Sequence, residues 1–420
     1  MLSGLFKLGF LSFIANVLTK SGVFIVSMVL SHVLTIEDYA TYSLLYNLTM
    51  VLGTLSAASF GILITNKVSQ LNISTLVLLK NRLPISIFLS FLCALSVYFF
   101  VDLKGVEPVA LFLFVFVCSV TYSIESMLSG GLNAKLLYKK ILINGLLKTL
   151  VLFIFSFILT WTFGFVGSVL ALALYVFFGA IFNYIPFVNE KNTNKWFSEN
   201  KYILFKEALP LILTNVMVTG FIWCLNYYAY ESLGTQESGL LSVLLQISQM
   251  ILFISTALSA PLLPFLNKFD NKKVELSNLY IPTILVGSIS LIAYKAGIFQ
   301  LAYGNGIINS SNVDLLADIL MITIISIFKL SLFRKNIQAG KLHLSLINNA
   351  LWLSLVFVGI LCFGFELEVL IRAMLFSHIV TVFTSLYMYN LNDVIKVKLF
   401  FDFYGFLFIV YIAFCWWILM

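Results

Sequence analysis

Residues Leu34 to Leu45 read LTIEDYATYSLL, and residues Leu233 to Val243, 199 positions later, read LGTQESGLLSV. Sliding the chain on itself by 199 positions places Leu34 on Leu233, Asp38 on Glu237, Ser43 on Ser242 and Leu45 on Leu244. Further back, Asn16 and Val17 fall on Asn215 and Val216. Two apolar stretches share leucines by chance; the shared polar positions are what argue for a repeat. In both copies an apolar run meets a short acidic connection and resumes at once. Six such runs per copy give both copies the same orientation across a membrane, which is a parallel internal repeat.

The rest of the chain supplies those runs. Apolar residues make up 61% of the 420 and charged residues 10%, against about 25% charged in soluble domains; mean hydropathy is +1.04. A hydrocarbon layer about 30 Å thick needs roughly 20 helical residues. Thirteen runs of that order lie between Phe10 and Met420, continuously apolar rather than alternating, so helices and not a barrel are expected. The expected fold is all-α and integral to the membrane. A six-helix bundle occupies residues 1–187, a cytoplasmic linker 188–207 and a second six-helix bundle 208–390. An additional C-terminal transmembrane helix, rich in aromatics, lies within 391–420. The connections are too short to hold a separate catalytic domain. Lys7 precedes the first run, but no small-residue cleavage site follows, so that run is expected to be retained. Five cysteines stand singly within apolar runs, in no metal-binding or redox spacing.

Loop cations fall in alternate connections, among them Lys80 with Arg82, Lys135 with Lys139 and Lys140, and Arg334 with Lys335 and Lys341. The intervening loops are acidic, with Glu37, Asp38, Glu231, Glu237, Glu366 and Glu368. The positive-inside rule then places the N-terminus in the cytoplasm. Net charge of +7 follows from topology and from attraction to anionic lipid headgroups, so nucleic acid need not be invoked.

With these residues in view, the stretch from Leu34 to Leu45 resembles the outer loop and second-helix entry of Wzx-type O-antigen and capsular polysaccharide flippases, in which Gly-Pro-Glu-Asp-Tyr-Gly-x-Tyr is usual. Here Glu37, Asp38, Tyr39 and Tyr42 match, and Thr35-Ile36 stands where Gly-Pro is common. The segment Leu233 to Val243 is similar to the matching turn into helix 8, Lys206 to Leu211 to the entry of helix 7, and Pro261 to Pro264 to the end of helix 8. The flippases belong to the polysaccharide transporter family of the multidrug/oligosaccharidyl-lipid/polysaccharide exporter superfamily. The resemblance implies an inner-membrane, non-enzymatic transporter. Its cargo would be an undecaprenyl-pyrophosphate-linked oligosaccharide, moved from the cytoplasmic to the periplasmic leaflet by alternating access. It implies H⁺ or Na⁺ as coupling ion and no cofactor. The aromatic content of the last helix makes it a candidate dock for a polysaccharide polymerase or chain-length regulator.

A diphosphate and its sugars must cross while the isoprenoid tail stays in lipid, so a polar, cationic cavity is expected. A cation at a helix centre costs about 2.5–3.5 kcal/mol on insertion scales, which makes each one a functional candidate. Lys20 falls near the middle of the first run. Lys148, Lys295, Lys329 and Arg372 are further cavity candidates. For Lys148 a structural ion pair with Glu125 competes with substrate contact, and for the last three snorkelling to the nearest interface competes. Glu125 and Asp318 are candidates for the coupling ion. Asn16, Asn47, Asn215 and Gln246 either bond across helices or line a sugar path. No metal site is expected.

Two rivals share parts of this pattern. A multidrug or cation antiporter of the same superfamily would favour intramembrane carboxylates, whereas the midspan charges here are mainly positive. A membrane polysaccharide polymerase would need Arg, His or Asp on an extended outer loop, and the longest such connection, Leu301 to Val313, carries no such cluster.

Overall fold

The computed structural model describes residues 22–190 apart from 58–59, 62–63, 66–67, 69–73, 104–105 and 136. It also describes 216–259, 272–392 apart from 304–307, 309–311 and 340, then 403–419, and the single residues Ile14 and Leu213. Among them all regular secondary structure is helical. In hydrocarbon no water satisfies a backbone N–H or C=O, and an α-helix satisfies both within one segment.

The first helices are α1 (Gly22–Val33), α2 (Ile36–Ala57), α3 (Thr75–Phe100), α4 (Pro108–Ala134) and α5 (Tyr138–Tyr184). A π-helical turn (Val216–Gly220) leads into α6 (Phe221–Ser232) and α7 (Thr235–Ser259). Next come α8 (Lys272–Lys295), α9 (Ile298–Tyr303), α10 (Val313–Gln338), α11 (Leu342–Phe363), α12 (Leu367–Leu391) and α13 (Phe403–Leu419). Seven described helices are long and apolar enough to cross a membrane, and the chain is a multi-pass membrane protein. It divides into two compact units, Met1–Tyr227 and Tyr228–Met420.

The 199-residue repeat is visible in backbone hydrogen bonds. In the first unit α1 ends at Val33 and α2 begins at Ile36, with bonds from Leu34 N–H to Leu30 O (2.9 Å) and from Tyr39 N–H to Thr35 O (2.9 Å). In the second unit α6 ends at Ser232 and α7 begins at Thr235, with bonds from Leu233 N–H to Ala229 O (2.9 Å) and from Ser238 N–H to Gly234 O (3.1 Å). Every one of these positions is shifted by the same interval. The two turns reach this geometry by different means. Thr35 caps α2 by accepting from Asp38 N–H at 3.1 Å, as an N-cap hydroxyl does, whereas Gly234 takes a φ of 93°.

Two further features recur. Pro84 lies inside α3 and Pro282 inside α8. Gly164 (φ 58°, ψ −135°) breaks the long α5 into two spans, and Gly364 (φ 90°, ψ 172°) separates α11 from α12. Each of these glycines sits in a Phe-Gly-Phe triplet, at 163–165 and 363–365. Only glycine adopts such backbone angles without strain.

Each unit is built around its fourth-span helix. In the first, α4 packs on α2, α3 and α5; in the second, α10 packs on α7, α8, α11, α12 and α13. Small and hydroxylated residues bring the backbones together, as expected where lipid removes the hydrophobic drive between helices. Ser86 of α3 donates to Ser56 O (2.8 Å) and bonds Ser123 of α4. Gly130 meets Gly61 so closely that a Cβ on Gly130 would strike the Gly61 backbone. In the second unit Asn336 of α10 donates to Ser345 of α11 (2.7 Å) and to Tyr389 of α12 (2.5 Å). At one end of the first unit Glu190 takes Thr75 N–H (3.2 Å) and the Lys135 ammonium, so one carboxylate fastens the start of α3 to the end of α4.

A Cβ at Gly164 or Gly364 would meet nothing within 4 Å, so substitution there strains only the backbone. Gly164→Ala and Gly364→Ala should each cost about 1–3 kcal/mol, read as a lower thermal unfolding midpoint in detergent. An unchanged midpoint for both would show that neither turn needs its positive φ.

Candidate functional site

A cavity of about 320 Å³ lies inside the first unit, among α1, α2, α4 and α5. Its polar side chains come in helical steps of three or four, which align them on one face. Tyr122, Glu125, Ser129 and Asn133 come from α4, Asn144 and Lys148 from the first half of α5, and Tyr175, Gly179 and Asn183 from its second half. At about 1.5 Å per residue the stripe from Glu125 to Asn133 is roughly 12 Å long.

At the Glu125 end of this stripe Lys148 Nζ reaches both oxygens of Glu125, at 2.5 and 2.7 Å. The side chains are 7% and 15% exposed. The Lys148 ammonium also lies over the ring of Tyr175, 3.8 Å from its centroid, a cation–π contact strengthened by desolvation. Gly179 makes room for the pair, since a Cβ there would stand 2.7 Å from Glu125 Oε2 and 2.9 Å from Lys148 Cε. One turn away Asn144 donates to Asn183 Oδ1 (3.0 Å) and Phe182 O (2.9 Å). Chemically this is a charge-neutral pocket with aromatic faces and amides that both donate and accept.

The second unit carries a polar cluster between the equivalent helices, with a different balance of charge. Lys329 of α10 donates to Thr381 Oγ1 (2.9 Å), and its ammonium lies 3.5 Å from His378 Nδ1, both on α12. Trp352 of α11 packs on the His378 ring at 5.4 Å. Among the described residues no carboxylate pairs with Lys329. His378 can accept from this ammonium only in the tautomer that leaves Nδ1 unprotonated.

The remaining expected residues are dispersed. Lys20, Asn16 and Asn215 lie outside the described residues. Lys295 ends α8, exposed, its ammonium 5.6 Å from the centroid of the Tyr294 ring. Arg372 is 63% exposed, bonded to Glu368 at 2.6 Å and 3.9 Å from Asp318. Of the outer-loop residues, Glu37 is exposed and Asp38 donates its backbone N–H to the cap, whereas Tyr39 and Tyr42 are buried. The Tyr39 hydroxyl bonds Ser27 at 2.9 Å, fastening α2 to α1. Asn47 and Gln246 are buried in α2 and α7. Tyr122, Asn144, Tyr175 and Asn183 are not among the expected residues; their spacing of three or four from Glu125, Lys148 and Gly179 was the available signal.

Removing one partner of a buried ion pair leaves a bare charge and costs about 3–5 kcal/mol, whereas replacing both is far milder. Lys148→Met should therefore lower the unfolding midpoint in detergent sharply, and Lys148→Met with Glu125→Gln should recover most of it. Equal stability of single and double variants would rule out the pair as a structural element.

No family model matches the chain, and no curated protein does. Solved structures do. A multidrug resistance MATE family transporter of the MOP superfamily, in an inward-facing conformation, superposes with a TM-score of 0.63 at 14% identity, covering 93% of this chain and 95% of that one. A MATE protein in complex with MaL6 gives 0.64 at 14% identity, over 94% and 96%. A MOP superfamily transporter from Pyrococcus furiosus, described as having a binding pocket of reverse polarity that suggests a different function, gives 0.59 at 13%, over 94% and 96%. The chain has the fold of the MATE transporters of the MOP superfamily, twelve helices in two bundles, with α13 beyond them.

Proposed function

We propose that this chain is a flippase for lipid-linked oligosaccharide. It would carry undecaprenyl-pyrophosphate-linked sugar units from the cytoplasmic to the periplasmic leaflet of a bacterial inner membrane by alternating access, its N-terminus in the cytoplasm. The observation that carries this reading is the charge of the two polar clusters. Glu125 is neutralised by Lys148, and Lys329 stands without a described carboxylate, so neither cluster offers a bare anion to a cationic drug. Tyrosine faces and paired amides suit sugar rings and hydroxyls, and the cavity volume is at the small end of the roughly 300–1,000 Å³ of small-molecule pockets. We assign the sugar to the Tyr175–Asn144 cavity of the first unit and propose Lys20 and Lys329 as cations that take part in transport. Glu125 is assigned the coupling H⁺, taken up when its bond to Lys148 opens. One charge moving through the membrane potential is worth about 2.3 kcal/mol per 100 mV, enough to bias a two-state equilibrium more than tenfold.

The second reading is a multidrug antiporter, favoured by the multidrug resistance transporter among the structural neighbours. The Pyrococcus neighbour, with its pocket of reverse polarity, argues that the fold accepts more than one pocket chemistry. Depletion of the protein in its host should trap undecaprenyl-pyrophosphate-linked oligosaccharide on the cytoplasmic leaflet. Wild type should relieve the trap, and normally expressed Tyr175→Ala or Lys329→Ala should relieve it at least tenfold less well. An unchanged leaflet distribution with altered drug tolerance would overturn the flippase reading in favour of the antiporter.

A further inference from the structure

A second cavity, of about 570 Å³, lies in the second unit between α10, α12 and α13. It is polar at one end and apolar at the other. Asp314 and Asp318, one turn apart on α10, and Arg372 of α12 form the polar end. Met321, Phe376 and Ile379 form the apolar end, and Trp416 and Leu419 of α13 close a side. From Asp314 to Met321 is about 10 Å of helix. Phe376 is 60% exposed, and Phe383 on α12 and Phe414 and Trp417 on α13 are exposed as well, so the outer surfaces of the two bounding helices are apolar.

The polar end is short of positive charge. Among the described residues that line it the one cation, Arg372, is bonded to Glu368 at 2.6 Å and lies 3.9 Å from Asp318, within ion-pair reach but too far for a hydrogen bond. Three carboxylates thus face one guanidinium, and half-buried Asp318 receives no hydrogen bond from a described residue. A carboxylate in that position calls for a donor that carries positive charge. A small inorganic cation would satisfy it, but would leave the apolar end of the cleft without a purpose.

We propose that this cleft binds an aminophospholipid, with its primary ammonium on Asp314 and Asp318, its phosphate on the outward side of Arg372, and the first part of an acyl chain along Phe376, Ile379 and Leu419. Helix α13 then has a definite role as the wall that makes a lipid site out of an open bundle surface. It is anchored for that role by Tyr411, whose hydroxyl donates to Ile284 O (3.1 Å) on α8 and fits over Gly287. This site is independent of what the chain transports, and Asp318 serves the lipid rather than the coupling ion.

The test uses the delipidated full chain in detergent, titrated with brominated-acyl phosphatidylethanolamine, phosphatidylcholine or phosphatidylglycerol while tryptophan fluorescence is followed. Phosphatidylethanolamine should quench at concentrations at least tenfold lower than the other two. Trp416→Phe should remove the saturable part of that signal, and Asp314→Asn with Asp318→Asn should bring phosphatidylethanolamine to the midpoint of phosphatidylcholine. Should the double variant not fold, Asp314→Asn alone, at an exposed first-turn position, should still raise the midpoint severalfold. Equal quenching by all three lipids, indifference to the aspartate changes, or displacement of the lipid by Na⁺ at millimolar concentration would each overturn the proposal.

Discussion

Hydrocarbon leaves a polypeptide no partner for its backbone except itself, and every feature of this molecule is an answer to that constraint. With each N–H and C=O spent inside a helix, variation is left to side chains and to the few places where a helix must stop. The stops are economical. A threonine hydroxyl caps α2, a left-handed glycine opens α7, and a Phe-Gly-Phe triplet reverses the chain in each unit. Between the stops, the described polar side chains mostly form stripes that face other helices, and an outward hydroxyl such as Ser354 bonds a carbonyl of its own helix, because a polar group turned to lipid has nothing else to bond.

The internal repeat separates architecture from chemistry. Equivalent turns keep the same backbone hydrogen bonds at the same interval, since connection geometry decides how the next helix leaves and a change there would misdirect a whole span. Equivalent polar clusters have diverged. A carboxylate and an ammonium under a tyrosine face occupy one, and an ammonium shared with a histidine and a threonine occupies the other. An isolated charge in such a place is costly, so each cluster brings its own neutral or charged partners from two neighbouring helices. Helices α4 and α10 hold these partners because they touch most of their own unit.

Much of this was legible in the linear chain. Continuous apolar runs of about twenty residues demand membrane helices whatever their neighbours are, and residues LTIEDYATYSLL with their later echo placed the first turn of both units. The Glu125–Lys148 pairing was also within reach, since both charges lie within apolar runs and need partners. What the chain could not declare was which amides and aromatics share that space. Tyr175 and Asn183 look like ordinary members of an apolar span until Gly164 turns the second half of α5 back against the first, and Asn144 finds its partner only through that turn. Likewise Asp318 reads as a coupling-ion candidate and Arg372 as a cavity cation, and only the packing of α12 against α10, with α13 alongside, shows Arg372 hydrogen-bonded to Glu368 and Asp318 3.9 Å from it at the edge of a cleft. Sequence alone determined where the chain must be helical and where it must turn, because those follow from local backbone chemistry in an apolar solvent. Which charges meet was decided by tertiary structure, because contact across helices depends on rotation and depth, and no single helix carries that information.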